Sequence, residues 1–331
     1  MKKQRWVILE GKGLIVKILL AGFFAALSSV AIGQAYPQKP VRIIVAAAPG
    51  GGTDFVGRLI ASKLSELFPQ QFIVDNRPGA GSMLGFELGI KSPNDGYTLI
   101  LITPSYSINP ALYPVKFDPL TDFTPVSTVA RGPLVLAVHP SLPAKNMKQF
   151  LQLTKKNPDQ MVYGTSGQGG IVHLATAQFL YMAGLRMTQV PYKGGGPALN
   201  DLIAGQVSMV FVTPQAGLPQ VKAGRIRALA VTTAARLPAE PEIPTLAEAG
   251  VAGYEVNNWH ALIGPKGLAP MIVEPLNAAV NKIIHKKEME ERLRGDGVYP
   301  FETTPSELFE LIRKELQMWR HVVKVADIKI Q

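Results

Sequence analysis

One pattern restricts this chain more than any other: a short apolar run stops in a glycine turn and restarts as a helix. It occurs twice. The first copy reads Arg42-Ile43-Ile44-Val45-Ala46-Ala47-Ala48-Pro49-Gly50-Gly51-Gly52-Thr53-Asp54, with a helix expected over residues 55–68. The second reads Met161-Val162-Tyr163-Gly164-Thr165-Ser166-Gly167-Gln168-Gly169-Gly170, with a helix expected over residues 171–183. Glycines let the backbone approach a ligand, and the first-turn N–H groups of a helix lack internal acceptors and point at negative charge. The same turn also joins strands to helices that bind nothing, with Thr53 or Asp54 then serving as N-cap.

Strands are expected over residues 71–77 and 97–103, with a small-residue helix over 83–91 between them. Near-continuous apolar strands separated by helices predict a parallel sheet covered on both faces. Residues 104–124 are turn-rich, and 123–138 read as extended. A second alternation follows. Helices are expected over 146–156, 171–183, 197–204 and 217–223, and strands over 161–166, 188–192, 207–212 and 226–232. Residues 238–253, rich in Pro and Glu, read as an irregular connection, and 254–264 as extended. The tail predicts helices over 270–285, 287–293 and 305–323. In the last, Leu308, Phe309, Ile312, Leu316 and Trp319 recur at core-facing helical spacing. The fold class is therefore α/β in two lobes, one from residues 36–135 and 255–331, the other from 136–254. Both glycine turns would lie at strand C-termini, where open α/β sheets bind ligands.

The N-terminus is read separately. Lys2, Lys3, Arg5, Lys12 and Lys17 precede an apolar run over residues 18–32, and Gly33-Gln34-Ala35 follows. That is the plan of a signal peptide over residues 1–35, cut after Ala35, which predicts a periplasmic protein. The run falls short of the roughly 20 residues of a membrane span, and a retained anchor is the alternative. Removing five basic residues and Glu10 takes the formal charge from +10 to +6. No basic run or aromatic-interleaved patch indicates nucleic acid. The chain has no cysteine, which excludes disulfides, thiolate metal sites and cysteine nucleophiles.

Enzyme motifs mostly fail. There is no P-loop, and Gly164-Thr165-Ser166-Gly167-Gln168 misses the nucleophile elbow at its last position. Ser166 with His173 as base would make a hydrolase. The competing readings are Ser166 as a cap or ligand donor and His173 as a structural residue or a neighbour of the cleft. His139, His173, His260, His285 and His321 lack metal spacing, so neither a metal nor a cofactor is expected.

Several short motifs in register resemble the substrate-binding proteins of tripartite tricarboxylate transporters, also called the Bug family. They are Tyr36-Pro37-Gln38-Lys39-Pro40, the Pro49-Gly50-Gly51-Gly52-Thr53-Asp54 turn, Asn76-Arg77-Pro78-Gly79-Ala80-Gly81, Asp95-Gly96-Tyr97-Thr98-Leu99 and Ile108-Asn109-Pro110. Val138-His139-Pro140-Ser141-Leu142-Pro143, Pro191-Tyr192-Lys193-Gly194, the stretch from Ala223 to Thr232 and Pro244-Thr245-Leu246-Ala247-Glu248-Ala249-Gly250 continue the likeness over the whole expected mature chain. The resemblance implies a type II periplasmic binding protein fold, no enzymatic activity, and a cleft that closes on a small carboxylate. It further implies a monomer serving a two-component membrane permease, with a sensor as the alternative partner. Backbone N–H groups and hydroxyls would hold the carboxylate between Pro49–Asp54 and the loop over residues 165–170. The candidate ligand-binding residues are Ala47, Pro49, Gly50, Gly51, Gly52, Thr53, Asp54, Ser105, Thr165, Ser166, Gly167, Gly169, His173 and Thr213. Asp54, as an anion itself, is expected to cap the helix or hold a water. The chain departs from the family at Ala47, where Phe is usual. It has Val212-Thr213 where Asp-Asn is common, which argues against an amino-group ligand, and His260 where an aromatic or small residue is common.

Overall fold

The structure, a computed structural model, describes residues 36–295, 297–326 and 328. The expected leader lies outside the described residues. From residue 39 onward the chain forms one compact unit built on two sheets. Its eleven described strands are β1 (Val41–Val45), β2 (Phe72–Asn76), β3 (Thr98–Ile102), β4 (Phe123–Gly132), β5 (Val135–Val138), β6 (Val162–Thr165), β7 (Thr188–Pro191), β8 (Met209–Val212), β9 (Arg227–Val231), β10 (Asn258–Pro265) and β11 (Tyr299–Pro300). The first sheet runs β11-β4-β10-β3-β1-β2 and the second β7-β6-β8-β5-β9.

In the first sheet β1, β2 and β3 are parallel, and in the second β6, β7 and β8 are. A helix follows each of these strands: α1 (Gly52–Leu67), α2 (Met83–Ile90), α3 (Ser105–Leu112), α5 (Ile171–Ala183), α6 (Gly195–Ile203) and α7 (Pro214–Lys222), with α4 (Met147–Lys156) before β6. The expectation of parallel sheets holds only in part, because β10 runs antiparallel to β3 and β4, and β5 to β8 and β9. The reason is the path of the chain. A strand arriving from the other sheet runs away from the seam, opposite to strands whose C-termini end on it.

Two crossovers join the sheets, β4 to β5 and β9 to β10, and Thr232 ties them together. Its hydroxyl accepts from Leu134 N–H at 2.8 Å, its own N–H donates to Leu134 O at 3.0 Å, and its carbonyl accepts from Val256 N–H at 2.8 Å. Three helices close the chain: α8 (Pro270–Ile284), α9 (Lys287–Gly295) and α10 (Pro305–Val325). The turn-rich reading of residues 104–124 missed α3, because Pro110 lies inside it. Burial of Tyr106, Ile108 and Asn109 outweighs the bond that Pro110 cannot donate. Helix α7 likewise begins at Pro214, three residues earlier than expected, with Pro at a first-turn position that suits it.

The helical stripe of α10 is buried as expected at Leu308, Ile312, Leu316 and Trp319 and half-buried at Phe309, and it is divided between two cores. Leu308, Ile312 and Leu316 join Phe86, Tyr106 and Trp259 under the first sheet. Trp319 and Val322 join Phe150, Phe179 and Phe211 under the second. Glu315 lies where the two cores meet. It accepts from Trp259 Nε1 at 2.7 Å and from Trp319 Nε1 at 3.4 Å, and burial pushes its pKa up to about 7 against these two donors.

Candidate ligand-binding cleft

The first glycine turn leaves β1 and enters α1 at the C-terminal edge of its sheet. Its anchor is Asp54, 4% exposed, which accepts from Gly50 N–H at 2.9 Å, Arg58 Nε at 3.0 Å and Asn76 Nδ2 at 2.9 Å. Arg58 also donates to Asn76 Oδ1, and Asn76 to Ala47 O, so the turn is fixed on both flanks. Burial raises the Asp54 pKa, but the bonds from Arg58, Gly50 and Asn76 outweigh it and leave the pKa below the ordinary value. The expected capping role of Thr53 or Asp54 is overturned. The N-cap is Gly51, with no side-chain cap, because Asp54 already lies inside the first turn and reaches back to Gly50. The first helical bond runs from Phe55 N–H to Gly51 O, which leaves the amides of Gly52, Thr53 and Asp54 at the open helix end. Pro49 and Gly50 are exposed, and Ala47 is half-buried.

The second glycine turn leaves β6 and enters α5. The N-cap is Gly170, again without a side-chain cap, and the first bond runs from Leu174 N–H to Gly170 O. Thr165 is fully buried, and its hydroxyl accepts from Gln189 Nε2 at 3.1 Å. Ser166 is half-buried beside Gly170. His173 points its Nδ1 at Gly169 N–H, 3.3 Å away, and burial pushes its pKa down to about 4. An imidazole so hard to protonate, with Nδ1 facing a backbone amide, is built to orient the turn.

Both turns lie on the seam between the sheets, each against a different partner. A methyl on Gly52 would sit 3.6 Å from the Gln215 side-chain amide at the start of α7, next to Thr213, the N-cap of that helix. A methyl on Gly169 would sit 2.8 Å from Asn109 Oδ1 and 2.9 Å from the Tyr113 ring, and Gly169 has φ +76°. Only glycine fits there. Asn109 donates to Gly81 O at 2.7 Å, while a methyl on Gly81 would approach Gln168 O at 3.3 Å. Ser105 opens α3, one turn before Asn109, and is buried.

Asn109 and Gln215 were missed as site residues, although Asn109 stands in the Ile108-Asn109-Pro110 motif and Pro214 marks a helix start. Asn109 Oδ1 and Gln215 Oε1 are buried without a hydrogen-bond partner among the described residues. Among the described residues no group of His, Asp and Glu side chains could hold a metal, and no helix is long and apolar enough to cross a membrane.

The sequence matches the family described as the tripartite tricarboxylate transporter family receptor over residues 56–328. The chain belongs to that family. It is 32% identical to the Bordetella pertussis protein BugT over 320 residues, covering 95% of this chain and 98% of BugT. Among solved structures, Rhodopseudomonas palustris Rpa4515 with adipate is similar at a TM-score of 0.84 and 38% identity, covering 89% of this chain and 99% of that one. MatC of the same organism, with bound malate, is similar at 0.80 and 29%, covering 87% and 100%. As a tripartite tricarboxylate transporter receptor, the chain has the two-lobed fold of periplasmic binding proteins. The family is one of solute receptors, not enzymes.

Proposed function

We propose that this receptor takes a small organic acid by one carboxylate in the seam between its sheets and delivers it to a tripartite tricarboxylate-type permease. The observation that carries the reading is the pair of open helix ends: α1 and α5 both start on glycine, with first-turn amides left without side-chain caps. Neutral N–H and O–H donors bind a carboxylate through charge-assisted bonds, and the helix dipole adds to them. The carboxylates bound to Rpa4515 and MatC support the same chemistry. The permease follows from the family, and export to the periplasm from the leader. The lobes proposed are residues 36–135 with 255–331, and 136–254; closing them would exclude water from the acid. The candidate ligand contacts remain the turn over residues 49–54, Thr165, Ser166, Gly167, Gly169, His173, Ser105 and Thr213, reshaped at one end by Ala47.

The test is a thermal-shift screen of the purified protein against mono-, di- and tricarboxylates. An acid at about 100 times its dissociation constant adds roughly 2.7 kcal/mol of stability. The expected result is stabilisation by one or a few acids, abolished when Thr165→Ala and Ser166→Ala are combined. Stabilisation by neutral or cationic solutes alone would sink the carboxylate reading.

A further inference from the structure

His260 is 1% exposed, and neither ring nitrogen has a hydrogen-bond partner among the described residues. Its place in the sheet follows from extending the β10–β3 register by one residue, beside a register shift in the β10–β4 pairing between His260 and Ala261. Ala261 pairs with Ile102, the last residue of β3, so His260 stands one position nearer the seam, level with Thr103. Trp259 and Ala261 belong to the cluster under α10, so strand alternation puts His260 on the other face, in line with Leu262. Leu262 pairs with Leu101, and Leu101 with Val45. That face belongs to α1: a methyl on Gly57 would touch both Val45 and Leu101. The next row towards the seam is therefore Ala47, Thr103 and His260. It begins at the glycine turn and ends on an unpaired imidazole.

Burial holds the His260 pKa at about 4, so the ring is neutral and offers one N–H donor and one bare nitrogen acceptor. Leaving buried polar atoms unmet is costly, and such atoms are retained where a partner arrives. A second carboxylate is a poor partner, since it only accepts and brings a charge. Arg58, the cation beside the glycine turn, is already bonded to Asp54 and Asn76. A hydroxyl is neutral and both donates and accepts.

We propose that His260 reads a hydroxyl group on the bound acid, which makes hydroxy acids the preferred substrate class of the cleft. This rests on the carboxylate reading above. The experiment is calorimetric titration of the purified protein with acid pairs that differ by one hydroxyl: succinate against malate, and glutarate against 2-hydroxyglutarate. The unmodified protein should bind the hydroxylated member of at least one pair about tenfold more tightly. His260→Phe keeps an aromatic ring at the position and removes both polar atoms; it should level that ratio while binding the plain acid within a few-fold. The His260 15N resonances provide a check that needs no variant, and should shift with the hydroxy acid but not with its partner. Equal binding within both pairs, a preference that survives His260→Phe, or resonances that ignore the hydroxyl would overturn the inference and leave the carboxylate reading standing. So would proton uptake on binding a plain dicarboxylate that vanishes in His260→Phe, because His260 would then be answering charge. If no acid binds the unmodified protein, both readings fall together.

Discussion

Helices α1 and α5 begin at the seam, and α4 and α10 begin away from the glycine turns; the two pairs are finished differently. Asn146 caps α4, its Oδ1 accepting from Gln149 N–H at 3.0 Å. Helix α10 opens with a reciprocal capping box in which Thr304 and Glu307 satisfy each other's backbone amides. Helices α1 and α5 start on Gly51 and Gly170 with no side chain on their open amides. Over glycine at the same position a capping side chain is worth roughly a few tenths of a kcal/mol, so two starts forgo a small stabilisation that the other two take. On the proposed reading the open amides of α1 and α5 await an anionic ligand; α2, α3, α6, α7 and α8 also lack a side-chain cap, so an open start alone does not mark the site.

Substitutions at these turns and helix starts put the contrast to the test. The largest effect is expected from Asp54→Ala, which strips the turn of its acceptor and leaves Arg58 without its buried carboxylate. Urea denaturation should show a loss of about 3 kcal/mol. The pH dependence has a definite sign. A depressed folded pKa gives stability that is present above the ordinary carboxyl value of 3.8 and lost as the pH falls through the folded value. Asp54→Asn should flatten that acid limb.

Next comes Gly169→Ala, which places a methyl against Asn109 and Tyr113 at a positive φ. Acid affinity should fall roughly thirtyfold, about 2 kcal/mol, in a direct titration. Gly51→Asp is the sharpest test. Gly51 has φ −89° and ψ 171°, and a methyl there would meet only Ala48 O at 3.8 Å, so a capping side chain fits. The ligand-free protein should gain about 1 kcal/mol while acid binding weakens about tenfold. Unchanged binding would mean that the α1 end does not face the ligand. Thr304→Ala is the control at the capped end. It should cost about 1 kcal/mol of stability and leave binding untouched.

Element order was legible because it is written locally. Apolar runs such as Ile43-Ile44-Val45 and Leu99-Ile100-Leu101, punctuated by glycine, place strands and helix starts without tertiary information. The helix over Ser105–Leu112 was hidden because Pro110 reads as a breaker until the burial of Tyr106 and Asn109 is known. The antiparallel strands β5 and β10 were equally hidden, since strand direction follows from how the chain crosses between sheets. At the site, the glycine turns could be read directly. Gln215 could not, because its only distinction is that α7 brings it over Gly52 from the other sheet. The job of Asp54 was misread for a related reason: Arg58 is a helical neighbour, but Asn76 comes from the next strand.

The carboxylate of Glu315, shared by two indoles, has a practical consequence. Apart from Trp6, Trp259 and Trp319 are the chain's only tryptophans, and each belongs to the core of a different sheet. Trp319 and Glu315 share α10, so a change in the angle between the sheets would be felt mainly where Trp319 packs into the second core. If the lobes close as proposed, a ligand titration should be readable in tryptophan emission with no label attached.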